Sequence, residues 1–441
     1  MKRKRVMMVV FEFPPSNGAS VQRIISVYNG FLKAGWDVDV ITAKPHAYPN
    51  IQDLPDGLLL DNPHGKIIRT TALDVMRHLS LGGKHFGAMV RPDRWGMTWI
   101  PSAIFAGKSR LKKCPPDLIW SSSPTPSPHV IAGRLADLSG ASWIADYRDP
   151  MPYMHGRGTG YLDKQHRKID GSVRAGANLL TFATPGIRDL YVEHFQPLSV
   201  EGFKVMENGY DDDLMQKTRC EMREGSFNTP FSAGKLSLYY AGVLYEDGRD
   251  PVPIFEALAK LIKENPSINK DNVELIFQGA SMSKTHKYAL ETLGIEEVVK
   301  FIEPVPFTVS LRNMLSADAL VLIQDQKFNN QVPGKLYEYL ASEKPLLLKT
   351  PEISQTYSVA RNYEGVWRGD EKTSLFDALC GIVSVHCDEE KKLINKKNLI
   401  SYRRNVSGHS RQHHVEKMIM EAEAIVASPE NKAWMTVAQG A

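Results

Sequence analysis

Residues 331–345 read QVPGKLYEYLASEKP. Pro333 disfavours helical backbone at Val332, so the stretch enters extended, and Gly334 lets the chain approach a ligand closely. Lys335 to Ala341 then favour a helix, and Pro345 stops it ahead of an apolar strand, Leu346-Leu347-Leu348. A helix opening on Gly334 and Lys335 offers unpaired N–H groups and the positive end of its dipole, which suits an anion. Glu338 follows Lys335 by one turn and faces the same side. An ammonium for phosphate and a carboxylate for sugar hydroxyls is the chemistry that holds a sugar nucleotide. A plain surface Lys–Glu pair is the competing explanation.

The surrounding composition fits such a unit. A chain of 441 residues is too long for one core, so two domains are expected. With 42% hydrophobic and 24% charged residues it is an ordinary globular chain, and a net charge of +4 implies no general affinity for nucleic acid. Cys114, Cys220, Cys380 and Cys387 have the spacing of neither a zinc site nor a disulfide framework, which fits a reducing cytoplasm. The apolar run 6–11 after the basic start is too short for a secretory h-region and reads as a first buried strand.

Outward from 331–345, buried strands alternate with helical patterns in both directions. Strands are expected at 6–10, 38–42, 66–70, 117–122, 142–147, 178–183 and 204–207, then at 236–244, 273–278, 298–302, 319–323 and 346–349. Helices fall between them, so the fold class is α/β, two doubly wound Rossmann-like domains facing across a cleft. The expected boundaries are 1–210 for the first domain and 211–408 for the second, with a helix over 409–427 as a candidate to pack back on the first. Asp211-Asp212-Asp213 and the polar residues up to 234 read as a linker. Ligands in such sheets lie beyond the carboxyl ends of strands, so the post-strand loops hold the candidates. Gly18 follows the first strand; Asp146, Arg148 and Asp149 follow 142–147; His129 stands at a helix start. The Asp-Tyr-Arg-Asp run serves equally well as a structural ion network. No G-x-G-x-x-G is present, which excludes a dinucleotide fingerprint. The histidines of 409–426 lack metal spacing and read as solvated.

Residues 71–113 carry eight Lys or Arg against Asp74 and Asp93, with Trp95, Trp99 and Phe105 interleaved. That pattern suits peripheral contact with an anionic membrane, or a solvated face packed on its own domain.

Taken in order, FEFPPSNGASVQR (11–23), PDLIWSSSP (116–124), WIADYRDP (143–150), ENGYDDD (207–213) with YYAGVLYEDGRDP (239–251), and VPGKLYEYLASEKP (332–345) resemble the retaining GT-B glycosyltransferases of family 4 over nearly the whole chain. The resemblance implies transfer of a sugar, with retention and without a metal or other cofactor, from a nucleotide-diphosphate sugar (UDP favoured) to a glycan or lipid-diphosphate-linked acceptor in cell-envelope polysaccharide synthesis. The cysteine usage points to a cytoplasmic location, and the basic 71–113 segment adds peripheral contact with the inner face of the membrane as one of its two readings. On the donor side it implies backbone contact from Gly18, with Arg23 just beyond, cations from Arg249 and Lys335, entry at Gly334, and ribose contact from Glu338. The chain departs from the family where Asn330 stands eight residues before Glu338 in place of an acid, and where Gly242-Val243-Leu244 replaces Gly-Arg-Leu. On the acceptor side His129, Asp146, Arg148 and Asp149 are the candidates. A sugar-nucleotide 2-epimerase and a non-enzymatic sugar-nucleotide-binding protein are the alternatives, distinguished by turnover without acceptor and by absence of turnover.

Overall fold

Strands apolar on both sides need a sheet covered on both faces. The computed structural model describes residues 3–16, 18, 20–52, 58–81, 84, 87–155, 160–197, 199–225, 227–244, 247–388 and 406–428, and contains two such sheets. The first has β1 (Arg5–Val9), β2 (Asp37–Ala43), β3 (Ile67–Thr70), β4 (Leu118–Ser122), β5 (Ser142–Tyr147), β6 (Leu179–Phe182) and β7 (Phe203–Val205), in the order β3-β2-β1-β4-β5-β6-β7. The second has β8 (Leu236–Ala241), β9 (Val273–Gln278), β10 (Val299–Ile302), β11 (Ala319–Ile323), β12 (Leu346–Lys349) and β13 (Val366–Gly369), in the order β10-β9-β8-β11-β12-β13. Every strand pairing is parallel.

Alternate residues of each strand enter opposite cores. Met7 and Val9 pack in one cluster, Val6, Met8 and Val10 in another. In the second sheet Ala319, Val321 and Ile323 face one way and Leu320 and Leu322 the other. Each sheet reverses its winding once, between β1 and β4 and between β8 and β11. At such a point the following loops diverge and leave room for a ligand.

The chain divides into two compact units, Met1–Glu207 with His414–Ala441, and Asn208–His413. The terminal helix Arg411–Ala427 buries Val415, Met418, Ile419 and Ala422 among Val6, Met8, Val27 and Phe31. Gly30, within the helix Val21–Lys33, leaves room for this packing: a Cβ there would collide with Val415.

Three expectations need correction. Residues 211–234 are not a linker throughout: Asp212–Glu224 is a helix, capped by the Asp211 carboxylate accepting from the Leu214 N–H at 3.0 Å. Its polar sequence hid it, because only Met215 and Thr218 are buried. The strand expected to run to 244 ends at Ala241, where Gly242 takes φ +114° and turns the chain. The histidines after 409 are not all solvated: His414 lies 3.3 Å from the Glu207 carboxylate, and the His409 ring packs 5.6 Å from that of Tyr337. Among the described residues no helix is long and apolar enough to cross a membrane.

Candidate functional site

In the second unit the reversal between β8 and β11 gathers charge. Gly334–Ala341 forms the expected helix, entered from an extended Pro333 at ψ 136°. Lys335 reaches back to the end of β8, where its ammonium donates to the Ala241 carbonyl at 2.6 Å and lies 4.2 Å from the Tyr240 ring centre. Gly242 suits that point by its positive φ, and a Cβ there would come within 2.8 Å of the Lys335 Nζ and push it aside. Burial and the neighbouring Arg249 charge push the Lys335 ammonium down to about 7, against the pull of Glu338. Arg249, on the loop after β8, stands over the Phe328 ring at 5.8 Å, with Nη1 3.4 Å from the Val243 carbonyl. Two like charges held together at the ends of strands are arranged for a multiply charged anion.

Glu338 lies one turn beyond Lys335 and pairs with Arg411 at 3.2 Å. Burial raises its carboxyl above the usual carboxylate range, although Arg411 and Lys335 pull the other way. Arg411 also donates to the Asn208 carbonyl at 3.0 Å, which fastens the start of this unit to the helix that carries Glu338. Asn330 is exposed, at the end of the loop between β11 and this helix. Thus Arg249, Lys335 and Glu338 come together in one unit. Arg411 was missed, because nothing local marks a residue 73 positions away as the partner of Glu338.

In the first unit the expected residues meet differently. Arg23 is buried, and its guanidinium grips Asp146 through Nε at 3.1 Å and Nη2 at 2.7 Å while Nη1 donates to the Glu207 carbonyl at 2.8 Å. With those donors committed, Arg23, which the resemblance puts on the donor side, serves as an anchor for Asp146. Asp146 is wholly buried and also accepts from Ser122 and Thr181, each at 2.7 Å. Burial pushes its carboxyl up, but the Arg23 charge and these hydrogen bonds outweigh it and hold it below the usual range. His129 is buried too; its Nδ1 sits 2.9 Å from the Ser121 hydroxyl, which accepts from the Trp143 indole at 2.8 Å. Burial lowers the imidazole to about 4, despite nearby Asp146, so it is neutral near pH 7. Neither Asp146 nor His129 lines an open face. Arg148 and Asp149 are the two of the four acceptor-side candidates that reach the surface.

Gly18 differs from expectation as well. Its N–H donates to Ser16 at 3.3 Å, and the space a Cβ would need is filled by the Glu12 carboxylate, which also accepts from Ser20. A protein carboxylate, Glu12, thus covers the glycine that the sequence offered to a phosphate. In 71–113, Arg94 pairs with Asp74, Arg110 with Asp39 at 2.8 Å, and Arg91 lies 4.5 Å from the Tyr161 ring centre. Along the helix Gly96–Lys113 the exposed residues are Met97, Pro101, Phe105, Lys108, Ser109, Lys112 and Lys113, with Phe105 79% exposed.

No protein-family model matches the chain, and no curated protein does. Solved structures do. Sucrose-phosphate synthase from Thermosynechococcus elongatus superposes with TM-score 0.62 at 15% identity, over 97% of this chain and 100% of that one. Anabaena HepE, solved in complex with UDP and glucose, gives TM-score 0.61 at 14% identity over 96% and 100%. A Listeria monocytogenes protein provisionally assigned as a UDP-N-acetylglucosamine 2-epimerase gives 0.57 at 11% over 99% and 100%. What this likeness establishes is the fold: two doubly wound, Rossmann-like domains of the GT-B kind.

Proposed function

We propose that the protein is a glycosyltransferase of family 4 that moves a hexose, with retention, from a nucleoside-diphosphate sugar to a glycan or lipid-linked acceptor of the cell envelope. The observation that carries the reading is the pair Arg249–Lys335 at the β8–β11 reversal, with Glu338 one turn away. Breaking the sugar–phosphate bond leaves negative charge on the diphosphate while the ring becomes cationic. Arg249 and Lys335 take up that charge without a metal, and the departing phosphate oxygen accepts the proton of the attacking hydroxyl. Glu338, oriented by Arg411, accepts the ribose hydroxyls. HepE, which shares the fold, was solved with UDP, and this favours UDP as the nucleotide here.

In this reading the first domain, 1–210, takes the acceptor, with Arg148 and Asp149 at the surface and Asp146 and His129 behind them as supports. The outward stripe of Gly96–Lys113, apolar at Phe105 and basic at Lys108, Lys112 and Lys113, rests on an anionic membrane from the cytoplasmic side. The free cysteines fit that reducing compartment.

The test is direct. Thermal shifts with UDP, GDP, ADP and their sugars identify the donor, and release of nucleoside diphosphate on adding acceptor measures transfer. Full activity in EDTA is expected; loss restored by Mg²⁺ or Mn²⁺ overturns the metal-independent step. Because an epimerase assignment stands among the proteins that share the fold, turnover of donor without acceptor, with inversion at C2, is the second reading. Binding without either reaction leaves a sugar-nucleotide clamp.

A further inference from the structure

Asp325, which follows β11 at the same reversal, was given no role by the sequence. We infer that Asp325 is a positioning residue that fixes Arg249 against the donor diphosphate, an inference that rests on the donor-site reading above. Its backbone N–H donates to the Gly248 carbonyl at 3.0 Å, and its Oδ2 accepts the Asp250 N–H at 3.0 Å. The residues on both sides of Arg249 are therefore pinned to one amino acid. The other carboxylate oxygen is held by Lys349, a buried residue at the end of β12, so the fixing point belongs to the sheet.

The same post-β11 loop holds the Arg249 loop a second time. Lys327 pairs with Asp247, and the Phe328 ring fills the place where a Cβ on Gly248 would stand. Gly248 has φ +105°, so that close approach depends on glycine. The loop after β8 is thus carried by the loop after β11, which leads directly into the helix of Lys335 and Glu338. The diphosphate cations and the ribose acid share one rigid base, and Asp325 is the joint. A competing role is purely structural: Asp250 caps Val252 at 3.0 Å at the start of the helix Val252–Glu264, and Asp325 would merely hold that cap.

Diphosphate selectivity separates the two. Calorimetric titrations compare wild type, Asp325→Ala, Asp325→Asn, Arg249→Ala and the Asp325→Ala/Arg249→Ala double variant. The ligands are whichever of UDP, GDP and ADP wild type binds most tightly, and the matching monophosphate. Asp325→Ala is expected to weaken the diphosphate about tenfold and leave the monophosphate within about twofold, and the double variant to bind no worse than Arg249→Ala alone. Asp325→Asn, which keeps volume and an acceptor for Asp250 but loses the Lys349 ion pair, should show a smaller loss confined to the diphosphate; it provides the reading if the alanine variant does not fold. Equal losses on both ligands, losses that multiply in the double variant, or unchanged binding overturn the inference. Wild type binding none of the three nucleotides overturns the donor site itself, and that arm alone decides it.

Discussion

A lysine amine beside a guanidinium is poised to gain a proton when an anion arrives. Lys335 is held at about 7 by burial and by Arg249, so above neutral pH it is largely uncharged before binding. A bound diphosphate stabilises the charged form and draws a proton in. Nucleoside diphosphate affinity should therefore be full below pH 7 and fall as pH rises above it, with an uptake of about one proton at pH 8.5 measured by calorimetry in buffers of different ionisation heat. Lys335→Gln should bind weakly and without the proton. Arg249→Ala should slow transfer by about 10²–10³, the usual loss when one fixed charge donor is removed from a developing anion. Asp146 makes the opposite point. Asp146→Asn leaves Arg23 buried without its charge partner and should cost about 3–5 kcal/mol of stability in denaturant unfolding. Lys335 and Glu338 could be read from the sequence because one helical turn relates them. The Arg23–Asp146 pair could not, since it joins residues 123 positions apart whose meeting the fold alone decides.

At the scale of elements, unbroken apolar runs such as 319–323 and 346–349 announced themselves as strands. β13, with Arg368 among four residues, did not. The helix Tyr161–Gly176 escaped for the same reason, its apolar residues being sparse between charges. The helix Asp212–Glu224 was hidden by an acidic start that is in fact its cap. Asp211→Ala should cost about 1 kcal/mol, read as a lowered denaturation midpoint, with catalysis in the folded protein unaltered. The turn that ends β8 is tied to the site itself. Gly242→Ala should largely abolish nucleotide binding, because the methyl group strains a positive φ and displaces the Lys335 ammonium. Calorimetry on that variant checks it; wild-type affinity would show that the Gly242–Lys335 contact carries no binding.

For the molecule as a whole, the alternation of strands and helices was enough to give two doubly wound sheets, because period and order survive even where single boundaries slip. What the pattern could not reveal is which residues near strand ends stay open: Asp146 lies at the end of β5, His129 in the first turn of the helix Ser127–Ser139 and Gly18 in the loop after β1, yet Arg23, Trp143 and Glu12 close over or beside them. The terminal helix shows the same limit, since its apolar face matches the first sheet only once both are folded. Removing residues 414–441 strips Val415, Met418 and Ile419 from the core beneath β1, each large side chain contributing about 1.5–3 kcal/mol. Calorimetric unfolding of the truncated chain should show a separate, earlier transition for the first unit.

The most direct test of the donor site is a crystal structure of the protein with the nucleoside diphosphate that stabilises it most. The account expects Arg249 and Lys335 within hydrogen-bonding distance of the terminal phosphate and Glu338 on the ribose hydroxyls. A nucleotide bound with Arg249 and Lys335 turned away from its phosphates, or seated elsewhere on the chain, would contradict it.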